Sequence, residues 1–277
     1  MISFLIITYN ESCHISRCIK SISKVSDDIV IVDSFSNDNT ELIANKHENI
    51  RFYKNKWSNH SNQINWAIDN INFKNEFIFR IDADEVLTDE LVIELKSLFE
   101  KSIDKNINGF YIKRRTYFMG RWIKYGGYYP TVLLRLWRKG FSICEDREMD
   151  EHMVLISGSS KVLNNDFIDD NLRSLSYWTD KHNLYSEKEV LEYYKGKSNK
   201  ADNERLGFAL NARIKKNKYY KLPKFIRAFL MFIYRYIIRL GFLDGREGLI
   251  FYVLQTFWYR FLIDSKIYQN EKNNVQE

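Results

Sequence analysis

Apolar runs alternate with helix-like stretches over the first hundred residues of this chain. The apolar runs predict strands at residues 2–7, 28–32, 50–53 and 76–81. Apolar positions at helical spacing predict helices at residues 11–23, 38–46, 61–70 and 89–100. The last helix has a clear start signal, because Thr88 can serve as its N-cap and two acidic residues follow in its first turn. Strands that alternate with helices indicate an α/β fold with a mostly parallel sheet and right-handed crossovers.

After residue 109 the pattern changes to two longer strands, which are predicted at residues 110–118 and 131–137. Acidic residues then cluster at 145–152. Towards the end of the chain, two apolar and aromatic stretches predict helices at residues 225–234 and 248–262. The chain therefore predicts an α/β domain followed by a C-terminal amphipathic helical extension.

Three of the four predicted N-terminal strands end in polar residues. These residues are Thr8, Tyr9 and Glu11 after the first strand, Asp33 after the second, and Asp82 and Asp84 after the fourth. In open α/β sheets, ligands bind outside the carboxyl ends of the strands. Any one of these groups is also typical of an ordinary turn, in which Asn, Asp and Ser act as caps. The three together, ending in a carboxylate pair, indicate a binding site at one edge of the sheet.

Asp82 and Asp84 come directly after the apolar run 77–81. Mg²⁺ and Mn²⁺ prefer oxygen ligands and are often held by one or two carboxylates together with phosphate oxygens. A buried strand that ends in two aspartates can therefore hold a divalent metal against a diphosphate. Because many strands end in acidic turns, this prediction depends on a nucleotide site around the two aspartates.

Composition and charge narrow the classes of protein. The chain has 277 residues, of which 16% are aromatic and 45% hydrophobic, and this excludes global disorder. Its net charge of +6 favours an anionic partner such as a nucleotide, a nucleic acid or a phospholipid. The three cysteines have no metal-ligand spacing and fit a reducing cytoplasm. Residues 2–7 are interpreted as a first strand and not as the core of a signal peptide.

The excess of positive charge lies in the C-terminal part of the chain. No acidic residue occurs between residues 213 and 239, whereas nine lysines and arginines do. Arg227, Arg235 and Arg239 recur at helical spacing, so they lie on one side of a mainly apolar helix. Such a helix is typical of an anionic membrane surface, and the alternative is a helical hairpin packed on the core. Neither C-terminal helix has the ~20 apolar residues that a transmembrane span needs.

Short motifs carry a resemblance over nearly the whole chain. They are Thr8-Tyr9-Asn10-Glu11, Val32-Asp33-Ser34, Arg80-Ile81-Asp82-Ala83-Asp84-Glu85, Leu134-Arg135-Leu136-Trp137-Arg138, Met149-Asp150-Glu151-His152, Lys181-His182-Asn183-Leu184-Tyr185-Ser186, Tyr234-Arg235-Tyr236 and Leu240-Gly241-Phe242-Leu243-Asp244-Gly245. With these motifs the chain resembles the family 2 glycosyltransferases, which have a GT-A fold. It is most similar to the bacterial group that builds lipopolysaccharide cores, O-antigens or capsules.

The resemblance implies a role for each matching residue. Asp33 would accept a hydrogen bond from the uracil of a UDP-sugar, and Asp82 and Asp84 would form the site for Mn²⁺ or Mg²⁺. Besides Asp33, the residues expected to bind the nucleotide-sugar are Thr8, Tyr9, Glu11, Gln63, Asn65, Arg80 and also Asp82. The loop at 59–62 departs from the family pattern, because relatives often carry glycine there.

An inverting transfer needs a carboxylate that takes the proton of the acceptor hydroxyl. Asp150 and Glu151 are the candidates for this base, and the sequence does not separate them. Glu145 and Asp146 form a weaker third option, and the whole acidic cluster is also compatible with a charged surface loop.

These observations predict a metal-dependent inverting glycosyltransferase that uses a UDP-sugar and a saccharide or lipid-linked acceptor. The predicted parts are a catalytic domain at 1–165, a helical connection at 166–222 and a membrane-associating tail at 223–277. The protein is expected in the cytoplasm, on the inner face of the cell membrane. The alternatives are a nucleotidyltransferase acting on sugar phosphates and a catalytically inactive glycosyltransferase-like membrane scaffold. A nucleotidyltransferase would usually show a glycine-rich, basic phosphate loop near the first strand, and a nucleic-acid-binding protein would spread its basic residues over the main domain. An inactive scaffold would not need the carboxylates.

Overall fold

The computed structural model describes residues 1–147, 149, 151–195 and 207–274. Its strands are β1 (Ile2–Thr8), β2 (Asp28–Asp33), β3 (Ile50–Lys54), β4 (Phe77–Asp82), β5 (Glu85–Leu87), β6 (Ile107–Phe118), β7 (Arg121–Trp122), β8 (Thr131–Arg138), β9 (Ser142–Cys144), β10 (Met153–Leu155) and β11 (Ser159–Asp170). Its α-helices are α1 (Ile15–Ile22), α2 (Thr40–Ala44), α3 (His60–Asn70), α4 (Asp89–Glu100), α5 (Leu175–Lys195), α6 (Phe208–Tyr220), α7 (Ile226–Ile233), α8 (Gly245–Tyr252) and α9 (Tyr259–Asn274). A π-helical turn, Tyr234–Ile238, continues α7, and a second, Val253–Trp258, joins α8 to α9. A 3₁₀ turn, Gly241–Asp244, precedes α8.

The main sheet has the strand order β3-β2-β1-β4-β8-β6-β11-β5, and β7 pairs with β6. The four N-terminal strands β1, β2, β3 and β4 are parallel, as their alternation with helices predicts. The second half differs from that prediction, since β8 runs antiparallel to both β4 and β6, and β11 runs antiparallel to β5. The sheet is therefore mixed. The connection from β6 to β8 contains no helix, as is usual for antiparallel neighbours.

The central strands are apolar along their whole length because helices cover both faces of the sheet. Every residue of β1 and β2 is buried. Alternate residues of β1 point to opposite sides: Phe4 packs in the cluster that contains α1 and α4, whereas Leu5 packs in the cluster that contains α3. Continuous apolar strands of this kind are typical of parallel strands buried on both faces.

Several helix boundaries follow from caps and turns. Thr88 caps α4 as predicted, because its hydroxyl accepts a hydrogen bond from Leu91 N at 3.2 Å. Helix α1 begins at Ile15, four residues later than predicted, because the chain first makes a turn in which His14 N donates to Glu11 O at 2.9 Å. Helix α5 is the longest of the described helices and runs from Leu175 to Lys195.

The chain forms two compact units. The first comprises residues 1–115, 131–146 and 151–172 and contains most of the sheet with α1 to α4. The second comprises residues 116–130, 147–150 and 173–277. Its core consists of an aromatic cluster with Phe251 and Tyr252 at its centre and of the contact between α5 and α9. The predicted three-part division of the chain is a functional one and stays a prediction. Within the described part of the chain, no helix is both long and apolar enough to cross a membrane.

Candidate active site

The strand register brings the polar strand ends together. Thr8 pairs with Asp33 across β1 and β2, and Ile7 pairs with Asp82 across β1 and β4. The carboxyl ends of β2, β1 and β4 are therefore neighbours at one edge of the sheet. Residues that the sequence placed in three separate motifs thus lie side by side, where ligands of such sheets bind.

Asp33 is buried and held by the two turns that follow β1 and β2. Its carboxylate accepts hydrogen bonds from Thr8 Oγ1 at 2.9 Å, from Ser36 N at 2.7 Å and from Ser36 Oγ at 2.5 Å. The turns are also joined to each other, because Asn10 N donates to Ser36 Oγ at 2.7 Å. The aromatic ring of Tyr9 remains exposed beside them. Asp33 is therefore oriented before any ligand arrives.

Glu11 is anchored through His14. Its Oε2 lies 2.6 Å from His14 Nδ1, and His14 Nε2 accepts the backbone N–H of Leu172 at 2.9 Å. Because Nε2 acts as the acceptor, Nδ1 carries the proton and donates it to the Glu11 carboxylate. Thr40 Oγ1 in addition accepts the backbone N–H of Glu11 at 2.8 Å. The position of Glu11 is thus defined by the turn before α1, by the start of α2 and by the segment after β11.

The side chains of Gln63 and Asn65 make contacts within the protein. Gln63 is buried, and its Nε2 donates to Ser34 Oγ at 3.0 Å and to Asn55 O at 3.1 Å. Asn65 pairs with the backbone of Cys144 through two hydrogen bonds of 2.9 Å. Gln63 therefore supports the turn next to Asp33, whereas Asn65 joins α3 to β9. Their predicted contacts with nucleotide or sugar stay predictions.

Two arginines hold Asp82. Arg80 Nη2 donates to Asp82 Oδ1 at 3.0 Å, and Arg135 Nη2 lies 3.3 Å from Asp82 Oδ2. Burial by itself would raise the pKa of Asp82, but the two guanidinium charges outweigh it and hold this pKa well below its usual range. Asp82 is therefore ionised at any physiological pH. The sequence predicts no role for Arg135. Its place in the motif at residues 134–138 is the one sequence feature that points to this arginine.

Glu85 lies buried behind Asp82. It accepts hydrogen bonds from Asp82 N at 2.9 Å and from Arg135 Nη2 at 2.6 Å. Burial raises the pKa of Glu85 to about 8 in spite of the Arg135 charge, and the charges of Asp82 and Asp169 add to this increase. Glu85 therefore connects the turn after β4 to β8 and does not face a ligand.

Asp84 is held from two other elements. Its Oδ2 accepts a hydrogen bond from Asn171 Nδ2 at 3.0 Å. Its backbone oxygen accepts from Arg17 Nη2 at 2.9 Å and from Asp170 N at 3.2 Å. The helix α1 and the end of β11 thus orient the carboxylate of Asp84. Arg17 and Asn171 carry no sequence signal for this role, because they lie 67 and 87 residues away from Asp84.

The donor set fits a divalent metal that shares a diphosphate. Among the described residues, no group of three or more His, Cys, Asp or Glu side chains could hold a metal ion. Asp84 offers a hard carboxylate oxygen, whereas Asp82 is already bound to two arginines. A site with one protein carboxylate is completed by phosphate oxygens and water, as is usual for Mg²⁺. Of the two aspartates, Asp84 is therefore the one that could hold a metal ion directly, with Asp82 next to it.

Glu151 lies close to Arg80, and His60 makes the link between the two side chains. Its Oε1 lies 3.9 Å from His60 Nε2, and Arg80 Nη2 lies 2.5 Å from the same nitrogen. The Glu151 charge also contributes to raising the pKa of Arg80 against the effect of burial. Asp150, the other candidate base, lies outside the described residues. Glu145 accepts the backbone N–H of His152 at 3.2 Å and so stabilises its own loop.

Comparison with known proteins identifies the family. The profile of the family described as Glycosyl transferase family 2 matches residues 3–170, which is more than half of the chain. An uncharacterized glycosyltransferase of Rickettsia bellii is 34% identical over 112 residues, which cover 40% of this chain and 37% of the relative. The lipopolysaccharide core biosynthesis glycosyltransferase LpsC of Rhizobium meliloti is 32% identical over 148 residues, covering 50% of this chain and 51% of the relative. The matches thus span between about one third and one half of these relatives' length.

A solved structure shares the fold of the chain. The mannosyltransferase PcManGT from Pyrobaculum calidifontis, solved with GDP-Man and Mn²⁺, has a TM-score of 0.54 at 14% identity. That alignment covers 96% of this chain and 86% of the mannosyltransferase. Residues 1–349 of S. aureus TarS align with 97% of this chain at 13% identity, with a TM-score of 0.49. At such identities the likeness concerns the fold. The chain belongs to glycosyl transferase family 2, and its mixed α/β sheet flanked by helices is that of the GT-A fold.

Proposed function

We propose that this protein is an inverting glycosyltransferase that moves a sugar from a UDP-sugar to a saccharide or lipid-linked acceptor. Its place would be the synthesis of a bacterial lipopolysaccharide or another surface polysaccharide, and its metal Mn²⁺ or Mg²⁺. The observation that carries the proposal is the register of the central strands, which puts Asp33 and Asp82 on either side of β1 at one edge. Family membership and the lipopolysaccharide-related relative support it.

Uracil binding is assigned to Asp33. An ionised carboxylate offers about four lone-pair sites. Thr8 and Ser36 donate three hydrogen bonds to Asp33, so one acceptor site is left for the N3–H of uracil. The exposed ring of Tyr9 on the same edge is suited to stack on a planar base.

The leaving diphosphate is assigned to the end of β4. Asp84, with Asp82 beside it, would hold a divalent metal, and that metal would supply positive charge to the leaving diphosphate. Arg80 contributes a positive charge at the same edge, where it can stabilise the leaving group together with Arg135. Asn171 and Arg17 keep Asp84 in place.

Glu151 is the base that the described residues support. It would accept the proton of the acceptor hydroxyl while the hydroxyl oxygen forms its new bond to C1 on the face opposite the diphosphate. Glu151 contacts His60, and His60 contacts Arg80, so Glu151 is connected to the end of β4. Asp150 stays an open alternative for the same role.

The test is calorimetric binding of UDP, GDP, CDP and dTDP to the full chain, each with and without Mn²⁺. Selective binding of UDP that Mn²⁺ strengthens is the expected result. Asp84→Asn should remove the effect of Mn²⁺, whereas the matched variant Asp89→Asn, in an exposed ion pair with Lys24, should keep it. Selection of another nucleotide would overturn the UDP assignment. Absence of any nucleotide binding would favour an inactive scaffold.

The acceptor would be presented at the inner face of the cell membrane, with the enzyme in the cytoplasm. The support for this location is the stretch 213–239, which carries no acidic residue and in which Lys215, Lys218, Lys221 and Arg239 are exposed. Polybasic segments next to apolar helices are attracted by anionic lipids. A tail at 223–277 that binds the membrane would keep the enzyme close to a lipid-linked acceptor.

A further inference from the structure

The basic side of α7 faces the interior of the helical unit. Arg227 is only 1% exposed, and its Nε donates to Asp264 Oδ1 of α9 at 2.9 Å. Arg235 donates to Gly126 O at 3.1 Å, and its guanidinium lies 4.4 Å from the ring centre of Tyr128. The predicted arginine side holds for Arg227 and Arg235, whereas Arg239 follows the π-helical turn and is exposed. That side is, however, used to pack the helix, so Arg227 and Arg235 are not charges that face lipid headgroups.

The opposite side of the same helix is apolar and exposed. Its large side chains are Ile226, Phe229, Leu230, Tyr234, Ile237 and Ile238. Their spacing of three or four residues, continued through the π-helical turn, places them on one side of the helix. Phe232 and Tyr236, which lie between them in sequence, pack instead in the aromatic cluster with Tyr252. We call the exposed set the apolar stripe.

The elements that follow continue this exposed apolar surface. Leu240, Phe242 and Leu243 are exposed at the 3₁₀ turn. Leu249 in α8 and Val253 just after α8 are also exposed, and they lie one helical turn apart. The 3₁₀ turn packs against both α8 and the π-helical turn after α7. Folded monomers rarely expose contiguous apolar patches of more than a few hundred Å². The surface is therefore expected to be covered when the protein works.

Charge distinguishes a lipid bilayer from a second copy of the chain. Exposed basic residues accompany the stripe, with Lys218 and Lys221 before it and Arg239 and Arg246 after it. A two-fold contact between copies would bring the same patch of both chains together and with it these like charges. An anionic bilayer offers an apolar interior for the stripe and negative headgroups for the basic residues around it.

We propose that the apolar stripe inserts into the interface of an anionic lipid bilayer. The apolar side chains provide the anchor, the exposed lysines Lys218 and Lys221 provide the attraction to anionic headgroups, and the buried Arg227 holds α7 in position. The inference rests on the proposed membrane location, which it deepens by naming the surface that makes the contact.

The test is co-sedimentation of the full chain with phosphatidylcholine vesicles, with and without phosphatidylglycerol. Ile238 is 64% exposed, and the double variant Phe229→Asp/Ile238→Asp should bind both kinds of vesicle at least about tenfold more weakly. Ile93 on α4 is 68% exposed, so Ile93→Asp is the matched control and should bind like the unchanged chain. Lys218→Gln/Lys221→Gln should weaken binding only to the vesicles that contain phosphatidylglycerol.

Two further measurements show whether a negative result concerns the membrane anchor, the folding of the variant or a contact between two copies of the chain. Metal-dependent UDP binding without vesicles should be the same for the stripe variant and the unchanged chain, which shows that the variant is folded. If that binding is intact and vesicle binding does not change either, the stripe is not the anchor, while the proposed enzymatic function stands. Light scattering with size-exclusion chromatography tests the other occupant: a dimer of the unchanged chain that Ile238→Asp dissociates would overturn the lipid proposal.

Discussion

Removal of the Asn171 side chain tests how the structure orients the metal-binding carboxylate. Asn171 Nδ2 donates to Asp84 Oδ2 at 3.0 Å, a hydrogen bond to a charged acceptor. Such hydrogen bonds contribute about 1.5–3 kcal/mol, and the half-buried position of Asn171 favours the lower end. Because 1.4 kcal/mol is a factor of ten in an equilibrium constant, Asn171→Ala should weaken Mn²⁺-dependent UDP binding about tenfold. This agrees with the loss of about 10–100-fold that follows the removal of outer-sphere partners of metal ligands.

The assay is calorimetric titration of UDP at a series of Mn²⁺ concentrations, so that the result does not depend on catalysis. The Mn²⁺ concentration that gives half of the maximal effect should rise about tenfold, while UDP binding without metal should stay the same. Asn165→Ala is the control, because Asn165 lies on β11 and makes the same kind of hydrogen bond, to Glu94 Oε2 at 2.9 Å, within the same unit. If Asn171→Ala keeps the original Mn²⁺ dependence while Asp84→Asn loses it, Asn171 does not position the carboxylate and the reasoning is refuted.

Three other predictions concern the base, the stability of the helical unit and the pH dependence of that stability. Glu151→Gln should lower the transfer rate by about 10²–10⁴-fold with Mn²⁺-dependent UDP binding unchanged; the same loss with Asp150→Asn alone would assign the base to Asp150. Arg227→Met leaves the buried Asp264 without its cation and should lower the free energy of unfolding, measured in urea, by about 3–5 kcal/mol. The double variant Arg227→Met/Asp264→Leu should lower it less. An equal loss of stability in the two variants would contradict the pairing. Burial lowers the pKa of His182 to about 4 from 6.5, so the folded state resists protonation and stability should fall as the pH drops between these values. His182→Gln should flatten that part of the stability profile measured by thermal unfolding.

The sequence determines the first half of the sheet almost completely. Apolar runs bounded by turn residues place β1 to β4 within a residue or two, because a strand buried on both faces has to be apolar along its length. The same runs place Thr8, Asp33 and Asp82 at strand ends, and parallel pairing then makes these ends neighbours. Local capping is equally readable, as Thr88 at the start of α4 shows.

Contacts between distant parts of the chain are decided by the tertiary structure. Arg135 reaches Asp82 from 53 residues away, and Asn171 reaches Asp84 from 87 residues away. Patterns of periodicity and capping describe interactions within a few residues, so they carry no information about such partners. The antiparallel pairing of β8 with β4 has the same origin, since the two strands lie far apart in the sequence.

Helix α7 shows most clearly what the sequence determines and what the tertiary structure decides. The spacing of Arg227 and Arg235 determines that both lie on one side of the helix. Periodicity does not determine whether that side faces solvent or the protein interior, because this depends on a partner in another element. Asp264 on α9 and the backbone of Gly126 supply those partners, so the arginines turn inward and the apolar side is left exposed. The sequence thus sets the two sides of the helix, and tertiary pairing of a charge that is costly to bury alone decides which side faces outward.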